Sequence, residues 1–299
     1  MAAIPLMLCG CLPQCDTGLY QCSVDNWCQL KTTLPRQTLR RIWGLSGHDL
    51  WAVGDHGTVL HWDGAAWKDL RVDRYTTEDL SGVWASSSTD IWIVGKNSTL
   101  LRGDGTSWRS VVKPTNQDLY DIWGGSSDDV WIVGAMGTVL HFDGAPSIQS
   151  VPTTNILWAV WGRAGQEVVT VGGQETICVY SYKERRWSLV HTDPLGGALL
   201  GVYGTGSETY AVGENGTYLL SDGMARARGG VLQFHAVWAS SPTNVWILGS
   251  TGAVLQDVGG PAPLPRVSGV GGTLFSVFGF GSEEIWAVGS DGIIMNYQP

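Results

Sequence analysis

The stretch 41–70, RIWGLSGHDLWAVGDHGTVLHWDGAAWKDL, recurs along the chain, and this repetition limits the possible folds more than any other feature. Each copy reads as four short strands. In the first copy they run into Ile42-Trp43, along Leu50-Trp51-Ala52-Val53 to Gly54, along Thr58 to Trp62, and through Trp67 and Leu70. Gly and Asp stand at the boundaries because hairpin turns need positive φ, which Gly, Asn and Asp adopt at little cost. Repeat cores lie near 41–70, 82–111, 121–151, 159–190, 201–230, 236–258 and 276–297. The first-strand aromatic recurs as Trp43, Trp84, Trp123, Trp161, Tyr203, Trp238 and Phe278, and the second-strand glycine as Gly54, Gly95, Gly134, Gly172, Gly213, Gly249 and Gly289. Both series step by 35 to 42 residues, the length of a four-stranded propeller blade. A lone blade has two apolar faces and cannot bury both, so the copies must stack around an axis and close. The expected fold is all-β: a seven-bladed β-propeller with four-stranded antiparallel blades.

The last copy stops at Tyr297-Gln298-Pro299, straight after its third strand, while SVDNWCQL (23–30) near the start reads as a spare fourth strand. Asp25-Asn26-Trp27 and Leu30 parallel Asp63-Gly64-Trp67 and Leu70. Pairing the two ends would close the last blade, hide a sheet edge and tie down both termini. The expected organisation is therefore a leader at 1–22 and one propeller domain at 23–299.

One repeat position is filled by Trp in five copies and by Val169 and Tyr210 in the other two. Trp51, Trp92, Trp131, Val169, Tyr210, Trp246 and Trp286 stand three residues before the repeat glycine, and such uniformity serves packing between blades, because a ligand would select one or two blades. The acids before the second strand, Asp49, Asp90, Asp129, Glu167, Glu208 and Glu284, with Asn244 in the series, are expected to accept hydrogen bonds from turn N–H groups. His61 and His141 share one repeat position and read as structural.

The unit resembles the tryptophan-rich repeat of bacterial exported β-propellers. Its third-to-fourth-strand turn is similar to the Asp-box of the neuraminidase-repeat superfamily, S-x-D-x-G-x-x-W. Asp63-Gly64-Trp67, Asp104-Gly105-Trp108 and Ser221-Asp222-Gly223 keep the Asp and Gly and in part the Trp, with spacing one residue tight. The resemblance covers about 260 residues as architecture and implies a structural turn. It does not select among sialidases, assembly factors and binding propellers, which share it.

Charged residues make up 15% of the chain and the net charge is −9, which argues against a nucleic-acid or anionic-lipid surface. The basic clusters Lys183 to Arg186 and Arg226/Arg228 fall at strand connections. No stretch is long and apolar enough to span a bilayer as a helix. The start, MAAIPLMLCGCLPQC, places Leu8-Cys9-Gly10-Cys11 after an apolar run, as in a bacterial lipobox with Cys11 lipidated, although a basic n-region is missing. Cys15, Cys22 and Cys28 crowd into one segment, a density typical of oxidising compartments; their pairing stays open, and Cys178 reads as a small buried hydrophobe. Zinc is the competing reading for the cysteines, but no His stands at ligand spacing. The expected location is the cell envelope, as an outer-membrane lipoprotein or a periplasmic or extracellular protein.

No G-x-S-x-G elbow, H-E-x-x-H helix or P-loop is present. The arginine box of sialidases is not found, and the acids available for two-carboxylate hydrolysis are the repeated turn acids. No catalytic residue, cofactor or metal is expected. Binding should instead sit where the copies disagree, three residues before the first-strand aromatic: Arg40, Ser81, Tyr120, Trp158, Leu200, His235 and Phe275. These should open the inner strands at the channel mouth, on the same face as the second-to-third-strand turns with His56, Lys96, Met136, Gln174, Asn215, Thr251 and Asp291. Arg40, Tyr120, Trp158, His235 and Phe275 are the candidate ligand residues, suited to a protein or glycan. The expected function is a monomeric, non-catalytic binding or scaffold propeller; the alternative is a glycan-directed hydrolase or lyase at the same mouth.

Overall fold

The structure, a computed structural model, describes residues 20–299 apart from 33, 35, 71, 113, 207, 221–224, 228 and 229. The described strands form seven antiparallel sheets. Blade 1 contains Leu39–Ser46, Asp49–Gly54, Val59–Trp62 and Trp67–Asp69, strands a to d from the inside outward. Blades 2 to 6 repeat this order and begin at Leu80–Ser87, Leu119–Ser126, Leu157–Arg163, Leu199–Thr205 and Phe234–Ser241. The remaining sheet runs from Leu274–Gly279 through Ile285–Gly289 and Ile294–Tyr297 to Trp27–Leu30 and Tyr20–Cys22. Each a strand packs beside the a strands of its neighbours, and Leu274–Gly279 packs beside Leu39–Ser46. The ring is thereby closed.

The expectation of seven four-stranded blades does not hold: six blades are four-stranded, and the sheet joining the chain ends has five strands. Trp27 pairs with Tyr297 and Gln29 with Met295, so the early segment supplies the missing outer strand. Residues 23–26 form the turn before it, with Asn26 at φ 64. Tyr20–Cys22, placed in the leader by sequence, folds back on Trp27–Leu30 as the fifth strand, and Cys22 is disulfide-bonded to Cys28, its cross-strand partner. Cys178 is a free buried thiol that burial pushes up to about 12, so it is inert at neutral pH.

Strand b is buried on both faces because blades lie against it on either side: in Asp49–Gly54 every residue after the first is buried. Trp51 and Val53 pack with Leu80, Val83 and Ile93 of blade 2, while Leu50 and Ala52 pack with Trp286 and Val288 of the closing sheet. The strand-b indole meets a strand-d indole of the next sheet edge-on. Ring centroids are 6.0 Å apart for Trp51 and Trp108, 5.6 Å for Trp131 and Trp187, 5.5 Å for Trp246 and Trp27, and 6.0 Å for Trp286 and Trp67. Such T-shaped contacts match the positive ring edge to the negative face. Blade 3 has no strand-d tryptophan, and there Trp92 meets Phe142 instead, 5.1 Å away.

The repeat glycine has a different cause from the turn chemistry expected of it. Gly54 is extended, with φ −168. A Cβ on it would lie 2.0 Å from the Thr38 carbonyl oxygen, and the same close approach recurs at Gly95, Gly134, Gly172, Gly213, Gly249 and Gly289. That carbonyl accepts a hydrogen bond from the residue after the glycine, Asp55 N–H to Thr38 O at 2.9 Å in blade 1. The glycine is therefore needed for backbone approach. Positive φ falls two residues later, at His56, Met136, Gln174, Asn215, Thr251 and Asp291, and in blade 2 at Asn97, not Lys96.

Candidate functional site

In all seven sheets the pairing of strands a and b slips by one residue near the start of strand a, as between Leu39 and Arg41 or Leu157 and Ala159. The residue squeezed out is Arg40, Ser81, Tyr120, Trp158, Leu200, His235 or Phe275 in turn. A bulged residue leaves the ladder, and its side chain is re-aimed. Its identity is therefore free of the repeat, which explains why these seven positions differ.

The ring brings the five candidate residues into two groups. Tyr120 and Trp158, on adjacent blades, have ring centroids 4.4 Å apart. His235 and Phe275 are 5.0 Å apart edge-on, and the Arg40 guanidinium lies 5.9 Å from the Phe275 ring. Arg40 Nε also donates to Asp55 Oδ1 at 2.5 Å, which places the strand b–c turn on the same face. Burial holds the His235 imidazole below its ordinary range, so it is neutral at pH 7, and burial raises the Tyr120 phenol. Leu200 and Ser81 separate the two groups.

None of the five lines the central cavity, which sequence reasoning did not anticipate. That cavity, about 270 Å³, is lined by the next residues inward, including Arg41, Trp43, Trp123, Trp161, Tyr203 and Phe278. The inner aromatics form a belt: Trp43 contacts Trp84 and Phe278 at 6.2 and 5.7 Å, and Tyr203 contacts Trp161 and Trp238 at 5.9 and 6.2 Å. Between mouth and belt, Arg41 of blade 1 reaches past blade 2 to pair with Asp121 of blade 3. Gly82 occupies the equivalent place in blade 2, where a Cβ would come within 3.2 Å of Asp121 Cα. Asp121 is buried and also accepts from Val160 N–H at 3.0 Å and Ile122 N–H at 2.9 Å. Burial raises its carboxyl, with Arg41 and the two N–H groups acting in opposition.

The repeated acids are structural, but their partners are side chains, not turn N–H groups. Asp129 Oδ1 accepts from Trp131 Nε1 at 2.8 Å and contacts His141 Nε2 at 2.9 Å, while Oδ2 accepts from the Tyr182 hydroxyl at 2.5 Å. His141 stacks on Trp131 with centroids 3.8 Å apart. Burial works against the Asp129 carboxylate, yet the three donors outweigh it and hold its pKa below the usual value. Asp49, Trp51 and His61 repeat the arrangement, Arg102 replaces the histidine beside Asp90 and Trp92, and Gln256 replaces it beside Asn244. A larger cleft, about 650 Å³, opens on the outer rim of blade 2, where Asp90 and Arg102 satisfy each other.

The fold and the site define a β-propeller with a mixed aromatic and polar mouth above an aromatic-lined channel. The sequence matches no family model and no curated protein. Among solved structures, the chain is similar to YCF48 bound to D1 peptide, with TM-score 0.75 and 17% identity over 94% of this chain and 98% of that one. It is also similar to YCF48 from Cyanidioschyzon merolae, with TM-score 0.72 and 17% identity over 92% and 99%. A catalytically inactive virginiamycin B lyase from Staphylococcus aureus with Quinupristin gives TM-score 0.75 and 12% identity over 90% and 98%. At these identities the likeness is one of fold, and it spans both a peptide-bound protein and a lyase.

Proposed function

We propose that the chain is a non-catalytic binding propeller that recognises a protein or glycan through its channel mouth. The observation that carries this reading is the contrast between uniform core positions and seven dissimilar bulged residues, five of which meet in two aromatic-polar groups. Rigid aromatics held beside one another make good anchors because little side-chain entropy is lost on binding. The peptide in the YCF48 complex favours a protein partner over a glycan on the same fold. A pull-down from bacterial envelope, run beside a glycan array, identifies the partner class. Trp158→Ala and Tyr120→Ala should each weaken that partner by about tenfold or more, while losing their mutual contact costs only about 0.5–1.5 kcal/mol of stability. Binding of both variants at parental affinity would move the site elsewhere, and release of reducing sugar from a bound glycan would favour the hydrolase.

On the same reading the chain is exported and anchored through Cys11, which lies outside the described residues. The lipobox-like Leu8-Cys9-Gly10-Cys11 and the Cys22–Cys28 disulfide both support an oxidising envelope compartment. Expressed behind a complete signal peptide in a bacterial host, Cys11→Ser should shift the protein from the membrane to the soluble fraction. Equal partitioning of variant and parent would dispose of the anchor.

A further inference from the structure

The channel cavity is lined by aromatic and aliphatic side chains with Arg41, Ser276 and Tyr203 among them, a mixed apolar and polar wall of the kind small-molecule sites use, and none of the five mouth residues lines it. Trp43, Trp123, Trp161, Tyr203 and Phe278 line it and are half-buried. At its mouth end stands the Arg41 guanidinium, 24% exposed in its side chain. Only Nη2 has a partner among the described residues, Asp121. A guanidinium carries several further N–H donors. Asp121 is locked by Val160 and Ile122 N–H groups, and so holds Arg41 in place while cancelling its charge.

We propose that this cavity binds a small, planar, uncharged molecule whose acceptor oxygen takes a hydrogen bond from Arg41 while its ring lies among the channel indoles. Each property follows from the walls. Flat aromatic surfaces favour a flat ligand, by offset or edge contact. A volume of about 270 Å³ sits just below the roughly 300–1,000 Å³ of drug-sized sites, which suits a ring system of one or two rings. An anion would place a second negative charge beside the single Arg41 cation already neutralised by Asp121, and a cation would face the guanidinium.

Coumarin, a planar neutral lactone, and coumarin-3-carboxylate, its charged analogue, make the test by isothermal titration calorimetry on the full chain. Coumarin should bind saturably at one site, and the carboxylate about tenfold more weakly or not at all. Arg41→Met should weaken coumarin by about tenfold. Ala236→Leu, which enlarges a cavity-lining residue without touching the ion pair, should abolish binding, and it carries the test if Arg41→Met does not fold. Tyr120→Ala, at the mouth, should bind coumarin as the parent does, so the cavity and the mouth stand or fall separately. Absence of saturable heat, tighter binding of the carboxylate, or parental affinity in a folded Ala236→Leu overturns the proposal.

Discussion

Chains that begin at residue 31 should lose about 5 kcal/mol or more of stability, a large share of the ~5–15 kcal/mol that holds a typical domain folded. The truncation removes Trp27–Leu30 and Tyr20–Cys22 and bares the edge of Ile294–Tyr297. It also removes Trp27, which has no exposed surface and packs against Trp246 at 5.5 Å and Tyr297 at 5.5 Å. Burial of one Trp is worth about 4–6 kcal/mol as an upper bound at ~25 cal/mol/Å². The loss is not confined to one sheet, because Trp27 also packs against Trp246 and Leu248 of blade 6, whose face the truncation uncovers. Thermal melts of the parent and truncated chains by circular dichroism check this. A melt unchanged by the truncation would mean that the ring does not depend on its closing strands.

Trp131→Ala is expected to cost about 3–5 kcal/mol. Trp131 is fully buried, stacks on His141 and meets Trp187 and Tyr180 of the next blade at 5.6 and 4.7 Å. Its removal leaves a cavity and also strips one donor from Asp129. Denaturant titration gives the magnitude, and binding at the mouth should survive in whatever fraction remains folded. A loss below about 1 kcal/mol would place Trp131 among tolerant surface positions and contradict the interblade core.

The candidate site was legible in part. The disagreement among copies at Arg40, Tyr120, Trp158, His235 and Phe275 was visible by counting from the first-strand aromatic, and the ring does bring these residues into contact in two groups. Their origin as bulges was not visible, because a bulge shows only in the pairing register. The acids illustrate a second limit. Asp129 and its equivalents read as turn residues from their neighbours in sequence, whereas in the sheet the second residue along the strand, Trp131, and the strand-c residue beside it, His141, present donors on the same face. The acid–indole–imidazole spacing of blades 1 and 3 was in the sequence as a signal, Asp49, Trp51 and His61 against Asp129, Trp131 and His141.

By itself the sequence determined whatever repeats: the four-strand unit, its glycine, and the indoles between blades, since each depends on contacts with the same or the adjacent copy. Tertiary structure decided what breaks the repeat. The fifth strand depends on where the early hairpin folds back. The Arg41–Asp121 pair joins residues 80 apart in the chain and on blades that are not adjacent. Its formation depends on ring curvature and on the gap left by Gly82, and neither is encoded in a periodic pattern. The channel cavity has the same origin, because its walls come from two or three residues of every inner strand and its volume exists only once the ring has closed.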